Sequence, residues 1–222
     1  AEGLVLKSPG GFELAGEELS LSDLMARVEE ARPLFGADGG VTFSGGEPTL
    51  QADDVLAAVN GLKGRKINTA IESNAGTDTF RRFVGNVDLI IADLKCVSTR
   101  LHQEWTGSDN AIVASNLMHA AVHQRDLLIR IMLVSGVNDT CEEMDRIAGL
   151  LSQLARLRGS LRAQVLRLHH MGGAKYVALG MKYAARDVPC PSVDRVREME
   201  ERLKSAGLEV CSCEGVRDDK AG

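Results

Sequence analysis

The sequence is poor in aromatic residues and contains no long apolar run. Phenylalanine, tryptophan and tyrosine together make up 4% of the 222 residues, so stacking platforms for single-stranded nucleic acid are not expected. A formal net charge of −5 argues against the basic surface that nucleic-acid binding needs. No apolar run approaches the roughly 18 residues of a membrane span, and no signal peptide opens the chain. These absences predict a soluble, cytoplasmic protein that binds neither nucleic acid nor membranes.

The chain also lacks a regular cysteine pattern. The five cysteines are odd in number and mostly far apart, which is unlike the disulfide framework of a secreted protein. They are Cys96, Cys141, Cys190, Cys211 and Cys213. Only the last two are close in sequence, so we predict free thiols and no metal site built by this chain alone.

Apolar runs and amphipathic segments alternate along most of the chain. Buried strands are predicted at 40–44, 67–72, 87–94, 127–134, 163–168 and 208–212. Helices are predicted at 21–32, 52–63, 77–84, 110–124, 140–157 and 192–205. Alternation of this kind indicates parallel strands joined by right-handed crossovers. The units are too few for a full TIM barrel, so we predict an α/β fold with a partial (β/α)6 TIM-like barrel that is incomplete at its N-terminal side.

Local signals support several of these elements. Ser20 with Asp23, and Thr140 with Glu143, have the spacing of helix capping pairs. The opening segment GLVLKSPGGFEL predicts a small hairpin with a Pro-Gly-Gly turn, outside the βα pattern.

Glycines or polar residues lie at the ends of the first five predicted barrel strands. They are Gly45, Gly46 and Glu47 after the first, Glu72, Ser73 and Asn74 at the second, Asp93 and Lys95 at the third, Arg130 and Ser135 to Asp139 at the fourth, and Arg167, His169 and His170 at the fifth. Any one of them has an ordinary structural explanation as a helix cap, a rim residue or a satisfied histidine. Their joint placement at one rim predicts a site for a polar ligand, because parallel α/β proteins bind ligands beyond the carboxyl ends of their strands.

The first of these strand ends, SGGEP, is the most informative. Two glycines allow a ligand to approach main-chain N–H and C=O groups closely, and Glu47 adds a carboxylate. Gly-Gly after a strand is also an ordinary tight turn, so this motif alone does not establish a site.

Six segments together resemble the radical S-adenosylmethionine (SAM) activating enzymes of glycyl radical enzymes, the family of pyruvate formate-lyase activating enzyme. They are SGGEPTLQ (44–51), ESN (72–74), DLIIADLK (88–95), LHQEWTG (101–107), IRIMLVSGVND (129–139) and LRLHHMGGAKYVALG (166–180). The resemblance implies a barrel that binds SAM across its strand ends and transfers hydrogen through a 5′-deoxyadenosyl radical.

The resemblance also implies roles for individual residues. Ser44, Gly45, Gly46 and Glu47 would hold the methionyl amino group, Arg130 the sulfonium and carboxylate end, and His169 the adenosine. Asp93 and Lys95 would be catalytic, beside SAM or the reacting glycine loop. Glu72, Ser73 and Asn74 would belong to the cofactor site, with Glu72 and Ser73 matching a monovalent cation site of some members. The implied partners are a glycyl radical enzyme and an electron donor such as flavodoxin or ferredoxin.

The family's Cys-x3-Cys-x2-Cys motif for a 4Fe–4S cluster is absent from this chain. Its opening resembles the stretch that follows a ferredoxin-like insert in larger activases. We therefore expect a fragment, inactive by itself, in which 1–18 is a remnant hairpin and 19–222 a partial radical SAM barrel. Ser135, Glu72 and Arg167 also depart from the residues usual in the family.

Two other functions fit the residues. One is a cluster-free, aldolase-like barrel in which Lys95 forms a Schiff base and Asp93 is its proton partner. The other is a non-catalytic barrel that binds SAM or a peptide.

Overall fold

The structure is a computed structural model that describes residues 4–8, 11–37 and 39–211. Its first two strands, β1 (Leu4–Ser8) and β2 (Gly11–Ala15), pair in an antiparallel hairpin. This confirms the hairpin that the opening segment predicts, although Pro9 and Gly10 of its turn lie outside the described residues.

The main sheet has six strands in chain order. They are β3 (Gly40–Phe43), β4 (Asn68–Ser73), β5 (Leu89–Asp93), β6 (Asp126–Leu133), β7 (Arg162–Arg167) and β8 (Glu209–Cys211). Every neighbouring pair is parallel, so all carboxyl ends meet at one edge of the sheet. This confirms the predicted α/β sheet and places β3 and β8 at its two sides.

Seven α-helices occur among the described residues. They are α1 (Leu21–Ala31), α2 (Ala52–Gly64), α3 (Thr99–Thr106), α4 (Ala111–His123), α5 (Cys141–Arg158), α6 (Gly173–Ala178) and α7 (Val193–Ser205). The short helices α3 and α6 were not predicted. No helix in this part of the chain is long and apolar enough to cross a membrane.

The helix predicted at 77–84 is wrong in type, because Asp78–Arg82 forms a 3₁₀ helix. Its backbone bonds join residues three apart, as from Phe83 N to Phe80 O. A 3₁₀ helix places residues three apart on one face, and here this buries Phe80 and Phe83 completely.

The two faces of the sheet have different surroundings. On one face, strand residues such as Ile71, Ile90 and Ile129 are fully buried in the core with Met144 of α5 and Met199 of α7. The alternate strand residues are only partly buried. Successive side chains of a strand point to opposite faces of the sheet. The partly buried residues therefore share the second face, which we call the open face.

Both predicted helix caps form. Ser20 accepts a hydrogen bond from Asp23 N, and Thr140 accepts one from Glu143 N. In a capping box, the side chain of Glu143 would accept a hydrogen bond from the backbone N–H of Thr140. This bond does not form here. The side chain accepts hydrogen bonds from the N–H groups of Val97 and Ser98 instead, which ties α5 to the segment that precedes α3.

Candidate functional site

The glycine corner after β3 leaves its backbone open. Ser44, Gly45 and Gly46 are all exposed, and Gly45 has a φ of +92°, a conformation that side-chain-bearing residues rarely adopt. A Cβ added at Gly45 or Gly46 would meet no heavy atom within 4 Å. Main-chain groups at this corner are therefore accessible to a ligand.

Glu47 fixes the corner against the next strand end. Its Oε1 accepts hydrogen bonds from Thr49 N (3.2 Å), Thr49 Oγ1 (2.6 Å) and Ser73 Oγ (2.8 Å), and its Oε2 accepts one from Asn74 N (2.9 Å). Hydrogen bonds to a carboxylate are among the stronger ones in proteins. One side chain thus holds the loops after β3 and β4 in a single geometry.

A continuous chain of hydrogen bonds crosses the open face at the strand ends. Ser44 Oγ donates to Glu72 Oε2 (2.7 Å), Arg130 Nη1 donates to Glu72 Oε1 (3.0 Å), and Arg130 Nε donates to Asp93 Oδ1 (3.1 Å). These four residues lie on β4, β5, β6 and just after β3. The chain links four neighbouring strand ends.

The network stabilises the ionised forms of Glu72 and Arg130. Burial opposes ionisation of Glu72, but the hydrogen bonds from Ser44 and Arg130 outweigh it and lower the pKa of Glu72 below its ordinary value. Burial likewise opposes the charge of Arg130, and its bonds to Glu72 and Asp93 outweigh that effect and raise the pKa of Arg130. The Arg130 and Glu72 side chains retain 22% and 28% of their exposure, so a ligand can still reach them.

A cleft of about 380 Å³ lies beside this network. Glu47, Asn74, Asp93 and Lys95 line it from the strand ends, and His102 lines it from α3. The side chain of Lys95 is exposed, whereas a Schiff-base lysine normally lies in an apolar pocket or beside another cation. The environment of Lys95 therefore does not favour the aldolase-like function.

The backbone around Lys95 is held by a buried asparagine. Asn138 donates from Nδ2 to the carbonyls of Lys95 (2.7 Å) and Met132 (2.8 Å), and its Oδ1 accepts from Val134 N (2.7 Å). It is 1% exposed. The strand ends of β5 and β6 are thereby joined.

The predicted site residues fall into three groups. Ser44, Glu72, Asp93 and Arg130 form the network, and Glu47, Asn74, Asp93 and Lys95 line the cleft. Ser73 is buried and bonds to Glu47 rather than facing the network. His169 is exposed two residues beyond β7 and does not line this cleft.

Several residues of the cleft were missed from the sequence. His102, Thr106, Ser108 and Asp109 lie on α3 or in the turn after it. The residue pattern at the strand ends does not reach them, because they lie well beyond the end of β5. The segment LHQEWTG was the available signal, but it did not identify which side chains face the cleft.

The cysteines of the described residues do not form a cluster site. Cys96 is buried, which raises the pKa of its thiol to about 12 with a further contribution from Glu143, while Cys141 and Cys190 are exposed. Cys213 lies outside the described residues. Within the described ranges no three His, Cys, Asp or Glu side chains are placed to hold a metal ion, so these residues do not fit a 4Fe–4S cluster.

The hydrogen-bonding groups at the strand ends do fit the amino-acid part of SAM. The open main chain of the glycine corner offers carbonyl acceptors for an ammonium group. Among the described residues, Nη2 of Arg130 has no acceptor, so it is available to a carboxylate.

A larger cavity of about 960 Å³ lies at the opposite end of the strands. It is lined by residues at the amino-terminal ends of the strands, among them Gly40, Asn68, Leu89 and Arg162. Size alone would favour this cavity. We assign the site to the carboxyl ends, because the glycine corner and the charged network lie there.

No family model matches the chain. Among curated proteins, it is 34% identical over 178 residues to a (2S)-3-sulfopropanediol sulfolyase activating enzyme of Bilophila wadsworthia, covering 78% of this chain and 58% of that protein. It is 31% identical over 182 residues to a choline trimethylamine-lyase activating enzyme of Oleidesulfovibrio alaskensis, covering 81% of this chain and 59% of that protein. The chain thus spans a little under three fifths of the length of these relatives.

Solved structures share its fold. A domain of a pyruvate-formate lyase-activating enzyme from Bacteroides vulgatus matches with a TM-score of 0.61 and 23% identity, covering 78% of this chain and 98% of that domain. Streptococcus suis SuiB bound to S-adenosylmethionine matches with a TM-score of 0.62 and 15% identity, covering 90% of this chain and 45% of that one. At these identities the likeness shows the fold alone, an α/β partial barrel.

Proposed function

This chain is homologous to the activating enzymes of glycyl radical enzymes, and we propose that it is the catalytic barrel of such an activase. The observation that carries the proposal is the bonded network of Ser44, Glu72, Arg130 and Asp93 beside the open glycine corner. It lies at the strand ends, where a barrel of this kind binds its ligand. When bound and reduced by one electron from the electron donor, SAM would supply methionine and a 5′-deoxyadenosyl radical, which takes a hydrogen atom from a glycine of the partner enzyme.

The role of this chain's residues is to bind and orient. The carbonyl groups of Ser44 to Gly46 would accept hydrogen bonds from the methionyl ammonium, and Arg130 would donate to its carboxylate through Nη2. Glu47 would act indirectly, since both its oxygens already accept bonds from the loops it holds. His169 would contact the adenosine, from a loop outside the cleft.

Asp93 and Lys95 would act where SAM meets the glycine of the partner. Asp93 is held by Arg130 and lines the cleft, while Lys95 is exposed at the same cleft. Lys95 is thus the charged side chain that is most free to contact a ligand there. We assign these two residues the catalytic role, with Lys95 contacting the ligand directly.

The remaining cofactors and partners belong to the same proposal. A 4Fe–4S cluster would need ligands other than the described residues, and flavodoxin or ferredoxin would be its electron donor. A monovalent cation would lie near Glu72 and Ser73. Residues 1–18 would form a unit separate from the barrel of 19–222, and the 222-residue chain by itself would be inactive.

The activase function is tested by Lys95→Ala in the complete protein encoded by the gene. We expect its iron content to stay normal while the yield of glycyl radical on the partner, measured by EPR, falls about tenfold or more, because a charge-assisted contact is lost. Lys63→Ala is the matched control, since Lys63 lies at the opposite end of the strands. An unchanged radical yield in Lys95→Ala would contradict the role of Lys95, and the absence of any glycyl radical with the unaltered protein would contradict the function.

A further inference from the structure

His102 is a nearly buried histidine that lines the candidate cleft, and the proposed function does not use it. It belongs to α3 and is 6% exposed. Its Nδ1 lies 2.9 Å from the carbonyl oxygen of Ser108 and 3.0 Å from Thr106 Oγ1. One nitrogen of the ring is therefore held by the turn that follows α3.

These contacts determine where the proton of the neutral imidazole lies. A carbonyl oxygen only accepts hydrogen bonds, so Nδ1 must be the donor to Ser108 O. Thr106 Oγ1 also lies 2.7 Å from the carbonyl oxygen of His102, which takes the single hydroxyl proton and leaves Oγ1 as an acceptor towards Nδ1. Both contacts require the tautomer with hydrogen on Nδ1.

The other ring nitrogen, Nε2, is then an unprotonated acceptor. It has no hydrogen-bond partner in the part of the chain that the structure describes, and the ring borders the cleft. Among the described residues Nε2 is not one of the fully buried atoms that lack a partner, so it is accessible from the cleft, where a ligand with an N–H or O–H group could donate to it.

The surroundings favour a donor as the missing partner. The carboxyl groups of Glu47, Asp93 and Asp109 line the same cleft, and Lys95 is its one lysine or arginine among the described lining residues. Negatively charged acceptors therefore outnumber positively charged donors among the lining residues of this cleft. We propose that His102 is a ligand-binding residue of this cleft, held as the Nδ1–H tautomer so that Nε2 accepts a hydrogen bond from the bound ligand.

Two ligands of the proposed activase offer that donor, and in this respect the inference rests on the proposed function. One is SAM, through a ribose hydroxyl or an amino group. The other is the glycine segment of the partner enzyme, through a backbone N–H. Both present an N–H or O–H group to Nε2, and separate titrations distinguish them.

Nitrogen-15 NMR of the histidine rings in the 222-residue chain tests both the tautomer of His102 and the contact of its Nε2 with a ligand. His102→Asn identifies the signals of this ring among the five histidines. We expect a protonated Nδ1 and a bare Nε2, and a shift of Nε2 when S-adenosylhomocysteine or a glycine-containing peptide is added. The probe that moves Nε2 identifies the source of the donor.

Two results would overturn the inference. One is a proton on Nε2 of the neutral ring. The other is that a probe moves the backbone amides of Gly45 and Gly46 while neither probe moves Nε2. If neither probe moves any signal at the strand ends, the proposed function itself is contradicted, whereas shifts at the strand ends without a shift of Nε2 contradict only the role of His102.

Binding measurements on two variants complete the test. Asparagine keeps a donor for Ser108 O but has no acceptor at the position of Nε2, so His102→Asn should bind the active probe about fivefold more weakly. His123→Asn makes the same change on α4 outside the cleft and should bind like the unaltered chain. Equal affinity of both variants would contradict a contact between His102 and the ligand.

Discussion

Glu72 is the residue whose charge depends most clearly on its neighbours. Its pKa is lowered from 4.5 by the hydrogen bonds from Ser44 and Arg130, which outweigh burial. A carboxyl group with a lowered pKa in the folded state stabilises the fold above its ordinary pKa, and this contribution is lost as the pH falls through the lowered value. The network is thus most stabilising at neutral pH.

We predict that Glu72→Gln lowers the free energy of unfolding by roughly 1 kcal/mol at neutral pH, because a neutral amide binds Arg130 less well than a carboxylate. The difference from the unaltered chain should shrink as the pH falls below 4.5. Urea unfolding over a pH series measures it. Glu104→Gln, which removes one partner of an exposed pair with Arg100, should change little at any pH. A pH-independent difference for Glu72→Gln would count against the network.

The residues of the network were predictable from their strand positions, but their bonds were not. Glu72, Asp93 and Arg130 each stand near the end of an apolar strand, and this is visible in the sequence. Their pairing depends on the register between strands, in which Asp93 lies opposite Arg130. No local pattern encodes that register. His102 was missed because its role depends on a turn, Thr106 to Ser108, that follows a helix absent from the predicted pattern.

At the scale of elements, Glu143 connects α5 to the chain segment between β5 and α3. Its side chain is fully buried and accepts hydrogen bonds from Val97 N and Ser98 N (2.9 Å). The same segment follows Lys95 directly. The position of the exposed lysine therefore depends on a helix on the other face of the sheet.

Glu143→Ala should destabilise the chain by about 2–4 kcal/mol, because two backbone N–H groups lose their acceptor and a buried cavity remains. Hydrogen exchange at Val97 and Ser98 should accelerate more than exchange in β6. Glu142→Ala is the control, since Glu142 is 76% exposed and bonds to the same Arg146. It should cost less than about 1 kcal/mol. Similar unfolding energies for the two variants would contradict the connecting role of Glu143.

The element pattern was predictable where an apolar face is long and regular, as in α2, α5 and α7. It failed at Asp78–Arg82, because apolar residues three apart, such as Phe80 and Phe83, share a face in an α-helix and in a 3₁₀ helix alike. It also failed at α3, whose eight residues contain only two apolar side chains, Leu101 and Trp105, four apart, so the helical pattern is too short to be recognised. Capping signals predicted the starts of α1 and α5 correctly. They did not predict the partners of the Glu143 side chain, which lie on a segment far away in sequence.

At the scale of the whole molecule, the sheet has two chemically different ends. The carboxyl ends carry the glycine corner, the charged network and the smaller cleft. The amino ends carry a larger cavity without that network. Parallel pairing of all six strands produces this polarity, and the alternation of strands and helices in the sequence was sufficient to predict it.

The central claim is that SAM binds at the carboxyl ends of the strands. The most direct measurement is a titration of the nitrogen-15-labelled 222-residue chain with SAM, followed by the backbone amide signals. We predict shifts at Gly45, Gly46 and Asn74, while Gly39 and Gly40, which line the cavity at the other end, stay unchanged. Shifts at Gly39 and Gly40 with unmoved signals at Gly45 and Gly46 would contradict the account.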